Sequence, residues 1–125
     1  MVDVIFSLDF TSDVPIYQQI RNEIVTDIAK EEFLPGDRLP TIRGLAAEIG
    51  VNVMTVNKAY DLLKKEGYIT ADRRRGAIVM QLEGCDGKVT KKQRKELQLL
   101  IQELRIQQVP KEEVIRICSE LYEEE

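Results

Sequence analysis

Apolar residues recur at helical spacing in five stretches of the chain and alternate loosely in three shorter ones. Between Pro15 and about Glu32, the residues Ile16, Ile20, Ile24 and Ile28 stand four apart on one face of a helix, while Gln18, Gln19, Arg21, Asn22 and Glu23 fall elsewhere. Pro35-Gly36 ends that element with a turn. Thr41 is a good N-cap for a short second helix through Leu45, Ala46 and Ile49, and Gly50 suits the left-handed residue that stops it. Asn52 caps a third helix through Val56, Ala59, Tyr60 and Leu63, which stops at Gly67. Residues 68–71 and 77–80 are short β-forming stretches around a charged tip at 72–76, and they predict a hairpin. Residues 4–10 read as a short extended arm or edge strand. Gly84-Cys85-Asp86-Gly87 is a linker by composition. Two further amphipathic helices follow, one striped by Leu97, Leu100, Ile101 and Leu104, the other by Val114, Ile117, Cys118 and Leu121, widened by Ile115 and Tyr122. Pro110 is expected at the first position of the last helix, with Glu112 and Glu113 in the turn where the helix dipole favours acids.

The order helix, short helix, tight turn, helix, hairpin is that of a winged helix-turn-helix. The predicted fold class is therefore mainly α with a small β-hairpin wing: a winged helix-turn-helix over residues 1–82 and a two-helix dimerisation region over 83–125. Only two residues separate Gly50 from the third helix, a connection short enough to hold that helix across the second, with its N-terminal residues aimed at a DNA major groove. The outward residues there are Asn52, Val53, Met54, Thr55, Asn57 and Lys58. None is acidic, as a surface facing phosphates and base edges requires.

Composition narrows the chemistry. The 125 residues include no His, so Ser-His-Asp and Cys-His nucleophile systems, His-containing zinc sites and a His-based pH switch are all excluded. No carboxylate pair or Gly-rich phosphate loop appears, and neither enzyme activity, cofactor nor metal is expected. Cys85 and Cys118 form no CxxC and read as free thiols, Cys85 exposed in the linker and Cys118 a buried small hydrophobe on its stripe. No apolar run approaches the roughly 18–20 residues of a membrane span, and the N-terminus lacks a signal-peptide pattern, so the expected location is the cytoplasm.

The formal charge of −4 argues against a nucleic-acid partner until its distribution is considered. From Arg38 to Gly76, eight bases stand against four acids, giving +4 and leaving −8 for the remainder. Local potential, not net charge, governs contact with phosphate. The sharpest feature is Arg73-Arg74-Arg75-Gly76 at the hairpin tip. Three adjacent guanidinium groups repel one another, and on a hairpin directly after a helix-turn-helix they suit phosphates or an adjacent minor groove.

Four stretches carry a family resemblance: Pro15-Ile16-Tyr17-Gln18-Gln19-Ile20, Pro35-Gly36-Asp37-Arg38-Leu39-Pro40-Thr41-Ile42-Arg43-Gly44-Leu45-Ala46, Gly50-Val51-Asn52-Val53-Met54-Thr55-Val56-Asn57-Lys58-Ala59-Tyr60, and Glu66-Gly67-Tyr68-Ile69 with Arg75-Gly76. Together they resemble the GntR family of bacterial transcription regulators over about residues 10–80, and the short helical tail resembles its YtrA-type branch. The resemblance implies a homodimer, joined through the C-terminal helices, that represses from a pseudo-palindromic double-stranded operator, with transporter genes as targets. The family's DNA-contacting positions fall on Arg38, Arg43, Asn52, Thr55, Asn57 and the wing at Arg74, Arg75 and Gly76. Three positions depart from the family pattern. Val53 stands where an Arg is common, so that Val53 or Met54 can touch a thymine methyl instead. Gly44 replaces the Glu of a capping box. The wing reads Gly76-Ala77-Ile78 where Gly-Thr-Phe is common.

The two tail stripes are too short for a core of their own, and they bury their faces against the winged domain or, as favoured here, against a second copy. The sequence marks no effector pocket and leaves any small-molecule effector unknown. A competing reading, a winged helix used as a protein-interaction module, needs no basic wing.

Overall fold

The computed structural model describes residues 6–82 and 84–124. The chain divides into two compact units, one up to residue 83 and one from residue 84 onwards.

In the first unit, α1 (Ile16–Ala29), α2 (Ile42–Ile49) and α3 (Val53–Lys65) precede a hairpin of β1 (Ile69–Asp72) and β2 (Gly76–Val79). The isoleucine ladder of α1 turns inward, with Ile20 and Ile24 fully buried. Thr41 caps α2 by accepting the Gly44 N–H at 3.0 Å, and Gly50 ends it in the left-handed conformation at φ 72°. That left-handed residue redirects the chain into Asn52, whose side chain accepts the Met54 N–H at 2.7 Å and starts α3. α3 packs against α1, α2 and β1, so it is the centre of the unit. Leu45, Val56, Ala59 and Leu63 knit α2 to α3, and Ile49 and Val51 pack partly buried against them.

The hairpin is antiparallel, with Ile69 opposite Val79 and Asp72 opposite Gly76, and a three-residue loop at Arg73–Arg75 closes it. Beyond the two-strand prediction, the stretch before α2 pairs with the other edge of β2. Gly36 N–H donates to Val79 O at 2.8 Å, Leu39 N–H to Ala77 O at 2.9 Å, and Val79 N–H to Asp37 O at 2.9 Å. β2 therefore has backbone partners on both sides.

Four expectations are corrected. Residues 6–10 form no strand; Gln19 ties this arm down by accepting the Asp9 N–H and donating to the carbonyls of Asp9 and Val14, each at 2.8 Å, while Phe6 and Leu8 pack on the core. The part of the expected strand at Val4 and Ile5 lies outside the described residues. α1 stops at Ala29, short of Glu32, because Glu31 takes a positive φ of 61° and turns Phe33 into the core. Pro110 is the N-cap of the last helix, one place before the expected position, where its missing N–H still costs nothing. Cys118 is exposed, because no residue of either tail helix is buried.

The second unit holds α4 (Lys91–Ile106) and α5 (Lys111–Glu123). A capping box opens α4: Thr90 Oγ1 accepts the Gln93 N–H at 3.1 Å, and Gln93 Oε1 accepts the Thr90 N–H at 3.0 Å. Arg116 bridges Glu113 and Glu120 along α5.

Two contacts lock the first unit. Arg21 on α1 forks onto both carboxylate oxygens of Glu66 at the end of α3, at 2.9 and 2.8 Å, and lies over the Tyr68 ring. The Tyr60 hydroxyl donates to the Pro40 carbonyl at 2.7 Å, joining α3 to the segment that enters α2, and burial pushes this phenol well above its usual pKa. Replacing Tyr60→Phe leaves that carbonyl without its donor and is expected to lower stability by about 1 kcal/mol. Urea denaturation followed by circular dichroism measures the difference; an unchanged midpoint refutes the role given to this bond.

Candidate nucleic-acid interface

A cleft lies between α2, α3 from Asn57 onward and the hairpin. The cleft measures about 490 Å³ and is lined by Arg43, Asn57, Tyr60, Lys64, Gly76 and Ala77, among others. Arg43 stands exposed in the first turn of α2. Val53 and Met54 are exposed at the start of α3, and Thr55 and Asn57 are half-buried. Arg73, Arg74 and Arg75 are all exposed at the hairpin tip. Arg38 is exposed too, and its backbone bridges to Ile78 of β2, which places it at the root of the wing. The first unit thus carries all the sequence-nominated positions from 38 to 76 on one frame.

Two of these residues have additional engagements. Asn52 uses its side-chain oxygen to cap α3. Lys58 holds its ammonium 4.1 Å from the centre of the Tyr17 ring, on the α1 side of α3. Tyr17, Gln18, Lys58, Lys64 and Lys65 line a second hollow there, about 650 Å³ in volume. Nothing in the sequence signals this partnership, since the two residues lie 41 positions apart.

The wing tip has its own organiser. Asp72 Oδ1 accepts the Arg74 N–H at 2.8 Å, and Oδ2 lies 3.5 Å from Arg75 Nε. The Arg74 N–H first, then the N–H and guanidinium of Arg75, hold this carboxyl below its usual range. Gly76 follows at φ 75°, the left-handed residue that a three-residue hairpin loop uses to rejoin its strand. Asp72 was missed as part of the site, although an Asp two places before a tip residue is a legible turn signal.

The apolar tail residues Leu97, Leu100, Ile101, Ile117 and Leu121 are exposed, while Leu104 and Val114 are half-buried. Among the described residues no group of acids and cysteines is arranged to hold a metal, and no helix is long and apolar enough to cross a membrane.

Residues 16–79 match the family described as bacterial regulatory proteins, gntR family. The chain belongs to this GntR family. The transcriptional repressor YtrA of Bacillus subtilis is 40% identical over 74 residues, which cover 59% of this chain and 57% of that protein. The chain spans about 60% of the length of the curated relatives it matches. Among solved structures, a transcriptional antiterminator from Listeria monocytogenes EGD-e superposes with a TM-score of 0.83 at 29% identity, covering 94% of this chain and 90% of that one. YtrA from Sulfolobus acidocaldarius, described as a GntR-family transcription factor, gives 0.64 at 40% identity, covering 81% and 97%. The AraR DNA-binding domain in complex with its operator ORE1 gives 0.52 at 28% identity, covering 59% and 90%. Residues 16–79 thus form a GntR-family DNA-binding winged helix, and the relatives the chain matches are described as transcriptional regulators.

The Asp72 arrangement yields a test of the wing. Asp72→Asn keeps an oxygen for the Arg74 N–H but removes the negative charge among three arginines. Affinity for a random-sequence duplex is expected to rise roughly threefold at low salt and to lose that gain at high salt. Fluorescence anisotropy measures both; an affinity unmoved at low salt refutes phosphate contact by the tip.

Proposed function

We propose that this GntR regulator is a cytoplasmic repressor that binds a pseudo-palindromic operator as a homodimer. The observation that carries the reading is the exposed, acid-free first turn of α3, set on the same frame as an exposed three-arginine tip. Arg38, Arg43, Arg73, Arg74 and Arg75 supply phosphate contacts, while the Lys58 ammonium is drawn to Tyr17 on the α1 side. Asn52, Thr55 and Asn57 offer hydrogen bonds to base edges or phosphates, and Gly76 lets the backbone approach closely. The likeness to the AraR domain, which is seen on an operator, supports the DNA partner. The likeness to Bacillus YtrA, a transcriptional repressor, supports repression, and transporter genes as targets follow only from the resemblance of the short tail to the YtrA-type branch.

The tail supports pairing with a second copy. Leu97, Leu100, Ile101, Leu104, Val114, Ile117, Cys118 and Leu121 form apolar faces that the second unit does not bury by itself. Two such faces meeting across a two-fold axis would set the reading heads at half-sites about one helical turn apart.

Both parts are testable on the full chain. In anisotropy titrations, the promoter of its own gene is expected to bind more tightly than a shuffled duplex. Arg43→Ala weakens both and flattens the salt dependence by about one unit of log–log slope. Thr55→Ala removes about 1 kcal/mol of the preference for the promoter. Equal binding to both duplexes, indifferent to either substitution, sinks specific recognition. For the dimer, Leu100→Asp is expected to give monomers in sedimentation velocity without lowering helix content; a wild-type sedimentation coefficient refutes the proposed interface.

A further inference from the structure

Resting on the operator-binding reading above, the geometry points to what the start of α3 reads: an operator half-site whose core is A·T base pairs, recognised by Val53 and Met54 through thymine C5-methyl groups and by Asn57 through an adjacent adenine edge.

Three observations lead there. First, the leading turn of α3 carries no charge. Val53, Met54, Thr55 and Val56 occupy it, and Val56 is buried. Second, the polar groups flanking that turn have structural roles. The Asn52 oxygen caps the helix, and the Lys58 ammonium is held over Tyr17 on the α1 side. No guanidinium or ammonium therefore projects from the first turn, and the commonest guanine contact, a bidentate Arg or Lys on O6 and N7, has no donor there. Third, the exposed groups in its place are apolar: Val53 is 42% and Met54 70% exposed. Exposed apolar side chains at the most solvent-facing end of a reading helix find one apolar partner on a major-groove floor, the methyl of thymine.

Helical spacing adds the hydrogen-bonding component. Asn57 stands four residues after Val53 and three after Met54, so the three share one face of α3. An Asn amide matches the N6 donor and N7 acceptor of adenine and no other base edge as well. Methyl contacts beside an Asn–adenine pair select A·T pairs at neighbouring steps. Met54, unbranched and flexible, adapts to a methyl on either strand, whereas the stiff Val53 fixes one position.

The test separates this inference from the reading beneath it. Full-length protein selects duplexes from a random-sequence pool. The enriched duplex is then synthesised with thymine and with deoxyuridine at each half-site position in turn, since uracil lacks only the methyl. Anisotropy is measured for the wild type and for the double variant Val53→Ala, Met54→Ala. Both residues are exposed, and circular dichroism checks that the variant folds. The expected result is an A·T core, a loss of roughly fourfold in wild-type affinity for each contacted methyl removed, and no such loss in the double variant. An enriched duplex with a G·C core, or uracil effects that are absent or equal in wild type and variant, overturns this inference and leaves operator binding standing. A pool that yields no enriched sequence overturns operator binding, and this inference with it.

Discussion

The reading head depends on β2 being paired along both edges. A hairpin of four residues a side is at best marginal in water. Here the stretch from Gly36 to Leu39 supplies a second set of backbone partners, and that same stretch runs directly into the cap of α2. The wing therefore does not swing on the end of α3. It is bonded to the segment that sets the start of α2, and α2 in turn is packed on α3. The Tyr60–Pro40 hydrogen bond closes the loop from α3 back to that segment. The Arg21–Glu66 fork fixes α1 to the end of α3, at the root of β1. A displacement of any one of these elements would have to break backbone pairing or bury an unmet carbonyl, each costing on the order of 1–3 kcal/mol.

What could be read from the chain alone follows from which interactions are local. Helices α1, α2 and α3, their caps at Thr41 and Asn52, the stop at Gly50 and the hairpin all have their signals within a few residues of the place they act. The pairing of Gly36–Leu39 with β2 does not, since its partners lie about 40 positions on and the stretch has no alternation of its own. Phe33 and Leu39 are core residues hidden for the same reason: they sit in an irregular segment where no period exposes them. The arm at residues 6–10 has β-forming composition but joins no strand, and the Gln19 side chain takes over the role that a ladder would play. At the interface, the residue types of the wing and of α3 were legible, whereas the assignments of Lys58 to Tyr17 and of the wing tip to Asp72 depend on side-chain geometry. Cys118 was misplaced because burial was inferred from its stripe, and the tail helices leave that stripe uncovered within one chain.

On the proposed reading, the structure separates gripping from reading. Positive charge is concentrated at the wing tip, at Arg43 and at Arg38, while the leading turn of α3 is neutral. Two acids of the region are put to use, Asp72 organising the tip and Glu66 held by Arg21, while Asp61 stays exposed on the cleft wall 4.0 Å from Lys64. A chain of net charge −4 can thus present a basic face without carrying a basic composition.

That neutrality has a consequence for behaviour in a changing cell. Contacts made through phosphates weaken steeply as ions accumulate, because each one releases condensed counterions. Contacts made by uncharged side chains release none. On the proposed reading, a rise in ionic strength lowers affinity at every site by a common factor set by Arg38, Arg43 and the wing, but the ranking among sites, set by the leading turn of α3, is preserved. On that reading, osmotic upshift would act on this GntR chain as a volume control, not as a change of programme.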